Sequence, residues 1–157
     1  MRVGITGHRG LDATVEQQVR DLLQAAVRNT EDADLVGVSC IADGPDSWFA
    51  EYIVEHGGRL EVVLPAEEYR EGLPEGHWPV YDRLMAQASE VHRTGMVTSD
   101  SAAHMAGSEI LVGLVDELLA VWDGQPARGF GGTADVVSYS ERTGVPVRVL
   151  WPEGAQR

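Results

Sequence analysis

Three glycine-containing segments carry residues whose types and spacing suit the binding of a phosphorylated ligand. The first follows a short apolar run and reads Gly4-Ile5-Thr6-Gly7-His8-Arg9-Gly10. Gly7 allows a ligand to approach the backbone, His8 could contact a base or sugar, and Arg9 can donate two hydrogen bonds to a phosphate. The alternative is a plain turn with a solvated arginine. The G-x-x-G-x-x-G spacing differs from G-x-G-x-x-G, so it does not indicate a classical NAD site.

The second segment runs from residue 39 to residue 46 and reads SCIADGPD. Gly44 and Pro45 interrupt the chain, and Pro45 with Asp46 is typical of the first turn of a helix. The Asp46 carboxylate could simply satisfy free N–H groups there. Alternatively, Asp46 or Ser39 accepts hydrogen bonds from ribose hydroxyls or from a base amine. Cys40 suits core packing better than nucleophilic chemistry, because an apolar residue follows it and no histidine lies near it in sequence.

The third segment reads RGFGGTADVV and is the strongest candidate for an anion site. Two adjacent glycines, Gly131 and Gly132, precede Thr133 and an apolar run, which indicates a tight turn opening a helix. Free N–H groups at such a helix start point towards a bound anion, Thr133 adds a hydroxyl, and Arg128 lies beside the turn. The alternative is a glycine turn needed only for backbone geometry. Ligand binding is favoured because the glycines and the arginine follow a predicted strand together.

Strands and helices alternate along the chain, which favours an α/β fold with an open, mostly parallel sheet and helices on both faces. The loops that carry the three segments then meet beyond the carboxyl ends of the strands, where ligands bind in such sheets. Residues 65–79 are expected to form a loop or partial lid. The apolar runs predict strands at 3–5, 35–39, 60–64, 91–97, 118–122 and 145–151, and the helical spacing predicts helices at 15–27 (capped by Thr14), 46–55, 80–88, 102–115 and 131–143.

Composition excludes several classes of protein. The 157 residues suit one domain, expected over residues 1–152 with a frayed tail at 153–157. A protein that binds nucleic acid needs a basic surface. Here the net charge is −13 and lysine is absent, so nucleic acid is not expected as a partner. The five histidines show no paired spacing, so no metal site is predicted. No apolar stretch suggests a leader or membrane span, and we expect a cytoplasmic protein with no cofactor other than the nucleotide ligand.

The ordered segments GITGHRGL, SCIADGPDSWFAEYIVEHGGRLEVVLP and LLAVWDGQPARGFGGTADVVSYSERTGVPVRVLWP resemble the SLOG superfamily. That superfamily includes the Lonely Guy phosphoribohydrolases, the DNA-processing protein A domain and many nucleotide sensors. The resemblance covers nearly the whole chain except residues 66–100. It implies a Rossmann-like fold in which Gly7, His8 and Arg9 line the pocket, residues 39–46 hold the nucleoside, and Gly131, Gly132 and Thr133 hold the phosphate.

Two departures from the superfamily pattern bear on activity. The phosphoribohydrolases carry P-G-G-x-G-T-x-x-E, and the glutamate assists cleavage of the glycosidic bond; here Val136 stands at that position and Asp135 one position earlier. The hydrolase M-x-x-R-K element is also missing after Met105. A valine cannot provide acid–base help. The resemblance therefore implies binding without this catalytic machinery, unless Asp135, Asp46 or Glu109 replaces the glutamate.

The leading hypothesis is thus a cytoplasmic sensor that binds a mononucleotide or cyclic mononucleotide and assembles as a homo-oligomer, a dimer or tetramer. The oligomer is suggested by the apolar helix over residues 102–119, although core packing is the favoured explanation of that helix. One alternative is a phosphoribohydrolase or N-glycosidase acting on nucleoside 5′-monophosphates. Another is a protein-interaction domain whose nucleotide site is vestigial.

Overall fold

The computed structural model describes residues 1–157 and contains one six-stranded sheet. The strands are β1 (Arg2–Gly7), β2 (Val36–Ser39), β3 (Arg59–Leu64), β4 (Glu90–Arg93), β5 (Glu117–Val121) and β6 (Val147–Val149). Their order across the sheet is β4-β3-β2-β1-β5-β6, and every neighbouring pair is parallel. The predicted open α/β Rossmann-like sheet is therefore confirmed. The direction of winding reverses between β1 and β5, which is the topological switch point.

Six helices connect these strands. They are α1 (Ala13–Arg28), α2 (Pro45–Glu55), α3 (Tyr69–Gly72), α4 (Trp78–Gln87), α5 (Ser101–Gly113) and α6 (Thr133–Arg142), and a 3₁₀ helix covers Glu75–His77. The α1 amide of Val15 bonds the Asp12 side chain at 2.9 Å, so Asp12 is the N-cap and the predicted Thr14 cap is wrong. Asp12 caps the helix because its extended backbone directs its carboxylate towards the amide of the third residue after it, Val15.

The helices cover both faces of the sheet. The side chains of β5, which point alternately to one face and the other, show this. Leu118 and Leu119 are adjacent and each at most 1% exposed, yet they belong to separate apolar clusters. Successive side chains of a strand point to opposite faces, so the two clusters lie on opposite sides. One contains α1 residues such as Val19, and the other contains α5 residues such as Leu111.

The segment from residue 65 to residue 79 is more ordered than a loop. It contains α3 and the 3₁₀ helix, and α4 already begins at Trp78 because Pro79 is tolerated in a first helical turn. Trp78 packs within this segment: its Nε1–H donates to Arg70 O at 2.7 Å, and the Arg70 guanidinium lies 4.5 Å from the ring centroid. Both contacts hold the Trp78 ring against its own segment.

The remaining boundaries shift for local reasons. β4 ends at Arg93, and Gly95 follows in the left-handed region with φ +84°. α6 begins at Thr133, two residues later than predicted, because Gly131 also has φ +84° and Gly132 is the extended N-cap. None of the helices combines the length and apolar character that a membrane span requires.

Candidate functional site

A cleft of about 370 Å³ opens at the carboxyl ends of the strands, beside the switch point between β1 and β5. The loops after β1, β2, β3 and β5 all contribute to its wall, as the parallel sheet requires. Eight of the ten predicted site residues line it: Gly7, His8, Arg9, Asp46, Arg128, Gly131, Gly132 and Thr133. The fold thus brings three segments that are far apart in sequence to one cavity. Their roles in ligand binding stay predictions.

Ser39 and Gly44 do not line the cleft, and both have structural roles instead. The Ser39 hydroxyl is fully buried, donates to Asp46 O at 2.9 Å and accepts from Ile41 N at 3.0 Å. Gly44 has φ +93° and its carbonyl accepts from Ser47 N and Trp48 N, starting α2. These contacts fix the loop that presents Asp46, so the expected ribose contact of Ser39 has no access to the cavity.

The β1 loop is held by close packing and by a polar chain that includes His8. A Cβ added at Gly7 would lie 2.8 Å from Val121 Cβ and 3.0 Å from Pro45 Cβ, so glycine is needed there for packing. His8 is 5% exposed, its Nε2 lies 3.1 Å from Asp123 Oδ1, and its ring stacks edge-on against Trp151. Burial, together with the charge of Arg157, lowers the pKa of His8. A neutral His8 is therefore a fixed part of the cleft wall.

The tail after Pro152, which was expected to fray, contacts the domain in the structure. The indole of Trp151 donates to Ala155 O at 3.1 Å. Arg157 lines the cleft, donates to His8 Nδ1 and has its Nε 3.5 Å from Asp123 Oδ2. The acceptors are His8 and Asp123, which lie just beyond the ends of β1 and β5. These contacts add a cation to the cleft that no sequence motif indicated.

Arg9 is paired rather than free. Its guanidinium contacts the Asp43 carboxylate at 2.6 Å and 2.9 Å, and its side chain remains 47% exposed at the edge of the cleft. An exposed pair of this kind is weak and exchanges partners readily. Arg9 can therefore turn towards an anion in the cavity.

The glycine turn before α6 has the geometry of an anion cradle, with one unexpected internal bond. Gly131 N donates to Asp135 Oδ2 at 2.9 Å, and Gly132 N donates to Gly129 O at 3.2 Å. The amides of Thr133 and Ala134 have no acceptor within the chain, as expected at a helix start that lacks a side-chain cap. Two N–H groups are thus available at this helix start, because the amides of Gly131 and Gly132 are already bonded within the turn.

Asp46 stands apart from every other carboxylate around the cleft. The N-cap of α2 is Gly44, and the backbone N–H that bonds the Asp46 carboxyl belongs to Ala42, which precedes the helix, so the capping interpretation does not hold. No side chain of the chain donates to the Asp46 carboxyl, which faces only the Ala42 backbone N–H. Burial raises its pKa to about 7, against the opposing effects of that N–H and of Arg9.

Four cleft residues were missed because they come from the lid, α5 and the loop before it, which carry no motif: Tyr69, Ser99, His104 and Ser108. Ser99 Oγ and His104 Nε2 lie 2.9 Å apart, and the Tyr69 ring packs edge-on on His104 at 5.8 Å. Burial lowers the pKa of His104 and raises that of Tyr69, so both are uncharged near neutral pH. The only sequence signal that these residues could line the cleft was the number of polar residues in the lid and in the loop before α5. Phe130 also lines the cleft and is 64% exposed.

The charge of the cleft is opposite to the charge of the protein. The chain carries 25 acidic residues and 12 basic ones, yet the cleft is lined by three arginines (Arg9, Arg128, Arg157) and by a single carboxylate, Asp46. Because the pKa of Asp46 is raised to about 7, even this carboxylate is partly neutral at physiological pH. The cavity therefore suits an anionic small molecule.

Away from the cleft, Glu61, Glu90 and His92 place ligand atoms within 4.8 Å of one another. Arg2 already contacts both oxygens of Glu61, at 2.7 Å and 3.0 Å, and His92 Nε2 lies 2.8 Å from Oε1. The cluster is thus a satisfied ion-pair network across β1, β3 and β4. The absence of a metal site stays a prediction.

Comparison with solved structures identifies relatives of the fold. DNA processing protein A (DprA) from Streptococcus pneumoniae matches with TM-score 0.66 and 17% identity, over 94% of this chain and 49% of that one. DprA from Helicobacter pylori, whose single-stranded DNA binding has been described, matches with TM-score 0.66 and 17% identity over 95% and 64%. This chain therefore spans less than two thirds of either DprA chain.

A molybdenum cofactor binding protein from Rippkaea orientalis matches with TM-score 0.60 and 15% identity, over 94% of this chain and 74% of that one. The Moco carrier protein of Chlamydomonas rheinhardtii matches with TM-score 0.54 and 16% identity over 95% and 74%. No family model matches the sequence, and no curated protein does. At these identities the comparisons show the fold alone, and that fold is the Rossmann-like one that the sequence resemblance implied.

Proposed function

We propose that this protein binds a mononucleotide or cyclic mononucleotide in the cleft, with the phosphate on the glycine turn before α6. The observation that carries the proposal is the reversal of charge, three arginines around one carboxylate in a chain of net charge −13. The free amides of Thr133 and Ala134 add hydrogen-bond donors at a helix N-terminus, where a phosphate is stabilised. A cavity of about 370 Å³ falls at the small end of ligand pockets.

Calorimetry against mononucleotides, cyclic nucleotides and dinucleotides tests the proposal. A single-stranded oligonucleotide and the molybdenum cofactor belong in the panel, because the structural neighbours bind them. We expect Arg128→Ala to weaken mononucleotide binding by about tenfold, as loss of one charged hydrogen bond does. Arg142→Ala, the same charge change at the exposed end of α6, is the matched control.

Two outcomes would overturn the proposal. One is the failure of every mononucleotide and cyclic mononucleotide to bind at about millimolar concentration. The other is binding that is unaffected by both Arg128→Ala and Gly132→Asp, the second of which adds a carboxylate to the cradle. Tight binding of the oligonucleotide instead would transfer the function to nucleic acid, contrary to the expectation from charge.

Phosphoribohydrolase activity is the second candidate, and one observation favours it. Of the three carboxylates that could replace the missing glutamate, Asp46 lines the cleft, whereas Glu109 is exposed on α5 and Asp135 is bonded to Gly131 N. A pKa of about 7 suits a general acid or base. Release of free base from AMP or GMP that Asp46→Asn abolishes would establish the enzyme.

A sensor needs a partner or an assembly that responds to the ligand. We place the homo-oligomer contact on the face of α5, where Ile110 is only partly buried, and Leu114 just beyond its C-terminus is likewise partly buried. Light scattering with and without the bound mononucleotide tests both ideas. A monomer under both conditions would leave the binding function and remove the oligomer.

A further inference from the structure

We propose that Asp46 selects the base of the ligand by accepting a pair of hydrogen bonds from adjacent N–H groups, as guanine offers through N1–H and its exocyclic amine. The inference rests on the proposed function, since it concerns the ring attached to a phosphate bound in the same cleft. It assigns a guanine nucleotide as the preferred ligand class. Nothing in the sequence motifs distinguishes one base from another.

The first support is that the Asp46 carboxyl lines the cleft and has a single backbone donor, the Ala42 N–H, and no side-chain donor. Asp43 pairs with Arg9 at 2.6 Å, Asp123 lies 3.1 Å from His8 Nε2, and Asp135 accepts from a backbone amide at 2.9 Å. The Asp46 side chain is partly removed from water, and a carboxylate in that position that is short of donors costs free energy. A ligand that brings donors into the cleft recovers that cost.

The second support is the set of groups that face this carboxyl. Arg9 and the Ala42 N–H favour its ionised form, and Asp43 opposes it. The Cys40 thiol and the Tyr69 phenol, which also lie near, have pKa values raised by burial and are uncharged. In its ionised form, which prevails above about pH 7, this carboxylate is an acceptor with two oxygens and no hydrogen to donate.

The chemistry of the two purines then decides between them. Guanine presents two neighbouring N–H donors, which match both oxygens of a carboxylate in a bidentate contact. Adenine presents an amine beside a ring nitrogen that accepts, so one carboxylate oxygen would face another acceptor. A site built around hydrogen bonds rejects the analogue that leaves its polar groups unpaired.

Calorimetry with GMP, IMP, AMP and ribose 5-phosphate tests the assignment. We expect GMP to bind about 10- to 100-fold more tightly than AMP, with IMP between them because it lacks the exocyclic amine. Asp46→Asn should reverse the preference towards AMP, since an amide pairs with adenine through one donor and one acceptor. Ribose 5-phosphate, which has no base, should bind the wild type and this variant equally.

The pH dependence provides a readout that a purely structural role would not move. GMP affinity of the wild type should fall as the pH decreases below about 7, where Asp46 takes up a proton. Asp46→Asn should lose the part of this dependence that belongs to Asp46 and keep the part that the ligand phosphate contributes through its second pKa of about 6, which ribose 5-phosphate reports alone. Glu109→Gln, the same charge change at an exposed position outside the cleft, should keep both the GMP preference and its pH dependence.

The outcomes separate this inference from the function on which it rests. If ribose 5-phosphate binds in an Arg128-dependent manner but GMP and AMP bind equally, the Asp46 assignment is wrong and phosphate binding stands. A preference for GMP that persists in Asp46→Asn would likewise show that the Asp46 assignment is wrong while nucleotide binding stands. If neither ribose 5-phosphate nor any nucleotide binds, both the function and the assignment are wrong.

Discussion

The carboxylate of Asp135 accepts a hydrogen bond from the backbone amide of Gly131, with 2.9 Å between oxygen and nitrogen. Asp135 precedes the position at which the phosphoribohydrolases keep their glutamate, and here it closes the glycine turn from within. The bond holds the turn in shape and places a negative charge beside the two free amides of Thr133 and Ala134. Asp135 is therefore a structural partner of the cradle.

This relationship separates two substitutions of Asp135. Asp135→Asn keeps an acceptor for Gly131 N and removes the charge, so we expect mononucleotide affinity to rise a few-fold. Asp135→Ala loses the bond and should lower the free energy of unfolding by about 1 kcal/mol, as loss of a cap does. Calorimetry and urea denaturation measure the two effects. Free-base release by the wild type that Asp135→Asn abolishes would show instead that Asp135 is catalytic.

Gly131 and Gly129 provide a matched pair within the same turn. A Cβ at Gly131 would lie 3.1 Å from the Ser101 carbonyl oxygen, and its φ of +84° strains any other residue. Gly131→Ala should therefore cost about 1–2 kcal/mol of unfolding free energy. A Cβ at Gly129 meets nothing within 4 Å, so Gly129→Ala should change stability by less than about 0.5 kcal/mol. Equal losses in urea denaturation would contradict the packing described for this turn.

Arg2 should matter far more to stability than Arg70, although each forms a bidentate pair. The partner of Arg2 is Glu61, whose side chain is only 8% exposed, so Arg2→Met leaves a buried carboxylate with only His92. We expect a loss of about 2–4 kcal/mol. Arg70→Met breaks an exposed pair with Asp82 and should cost under about 1 kcal/mol.

The pH profile of the Arg2 effect follows from the lowered pKa of Glu61, which Arg2 causes first and His92 supports. A lowered folded-state pKa contributes stability above the unfolded value, and that contribution is lost as the pH falls. The difference between wild type and Arg2→Met should therefore shrink in acid. A difference that is constant down to about pH 3 would contradict this account.

The pKa shift of Asp46 has the opposite sign to that of Glu61, so its effect on stability has the opposite pH dependence. Its folded-state pKa of about 7 lies above its ordinary value of 3.8, so the folded protein binds the extra proton and the charge opposes folding above about pH 7. Asp46→Asn should stabilise the ligand-free protein by about 2 kcal/mol near pH 8 and by much less near pH 4. Denaturation of both proteins across this range gives the difference. A destabilised variant at high pH would mean that the carboxylate is satisfied within the chain.

The positions of the glycine-containing turns could be predicted from sequence, because the conformation of each turn has a local physical cause. Gly131 takes a left-handed conformation and Pro45 opens a helix, so the turns lie where the chain must bend. The apolar runs similarly placed all six strands, with errors at their ends. Arg157 and His104 could not be placed in the cleft, because only the packing of the tail and of α5 brings them there.

The alternation of strands and helices, the parallel sheet and the edge for a ligand were predictable from sequence, because hydrophobic periodicity and turn-forming residues are local properties. Which groups are free at that edge depends on how the chain packs. The packing buries Ser39, pairs Arg9 and Asp135 with internal partners, and leaves Asp46 with the Ala42 N–H as its one donor. Whether a side chain has a bonding partner depends on its distance to residues far away in the sequence. The spacing of residues within one segment does not predict those distances.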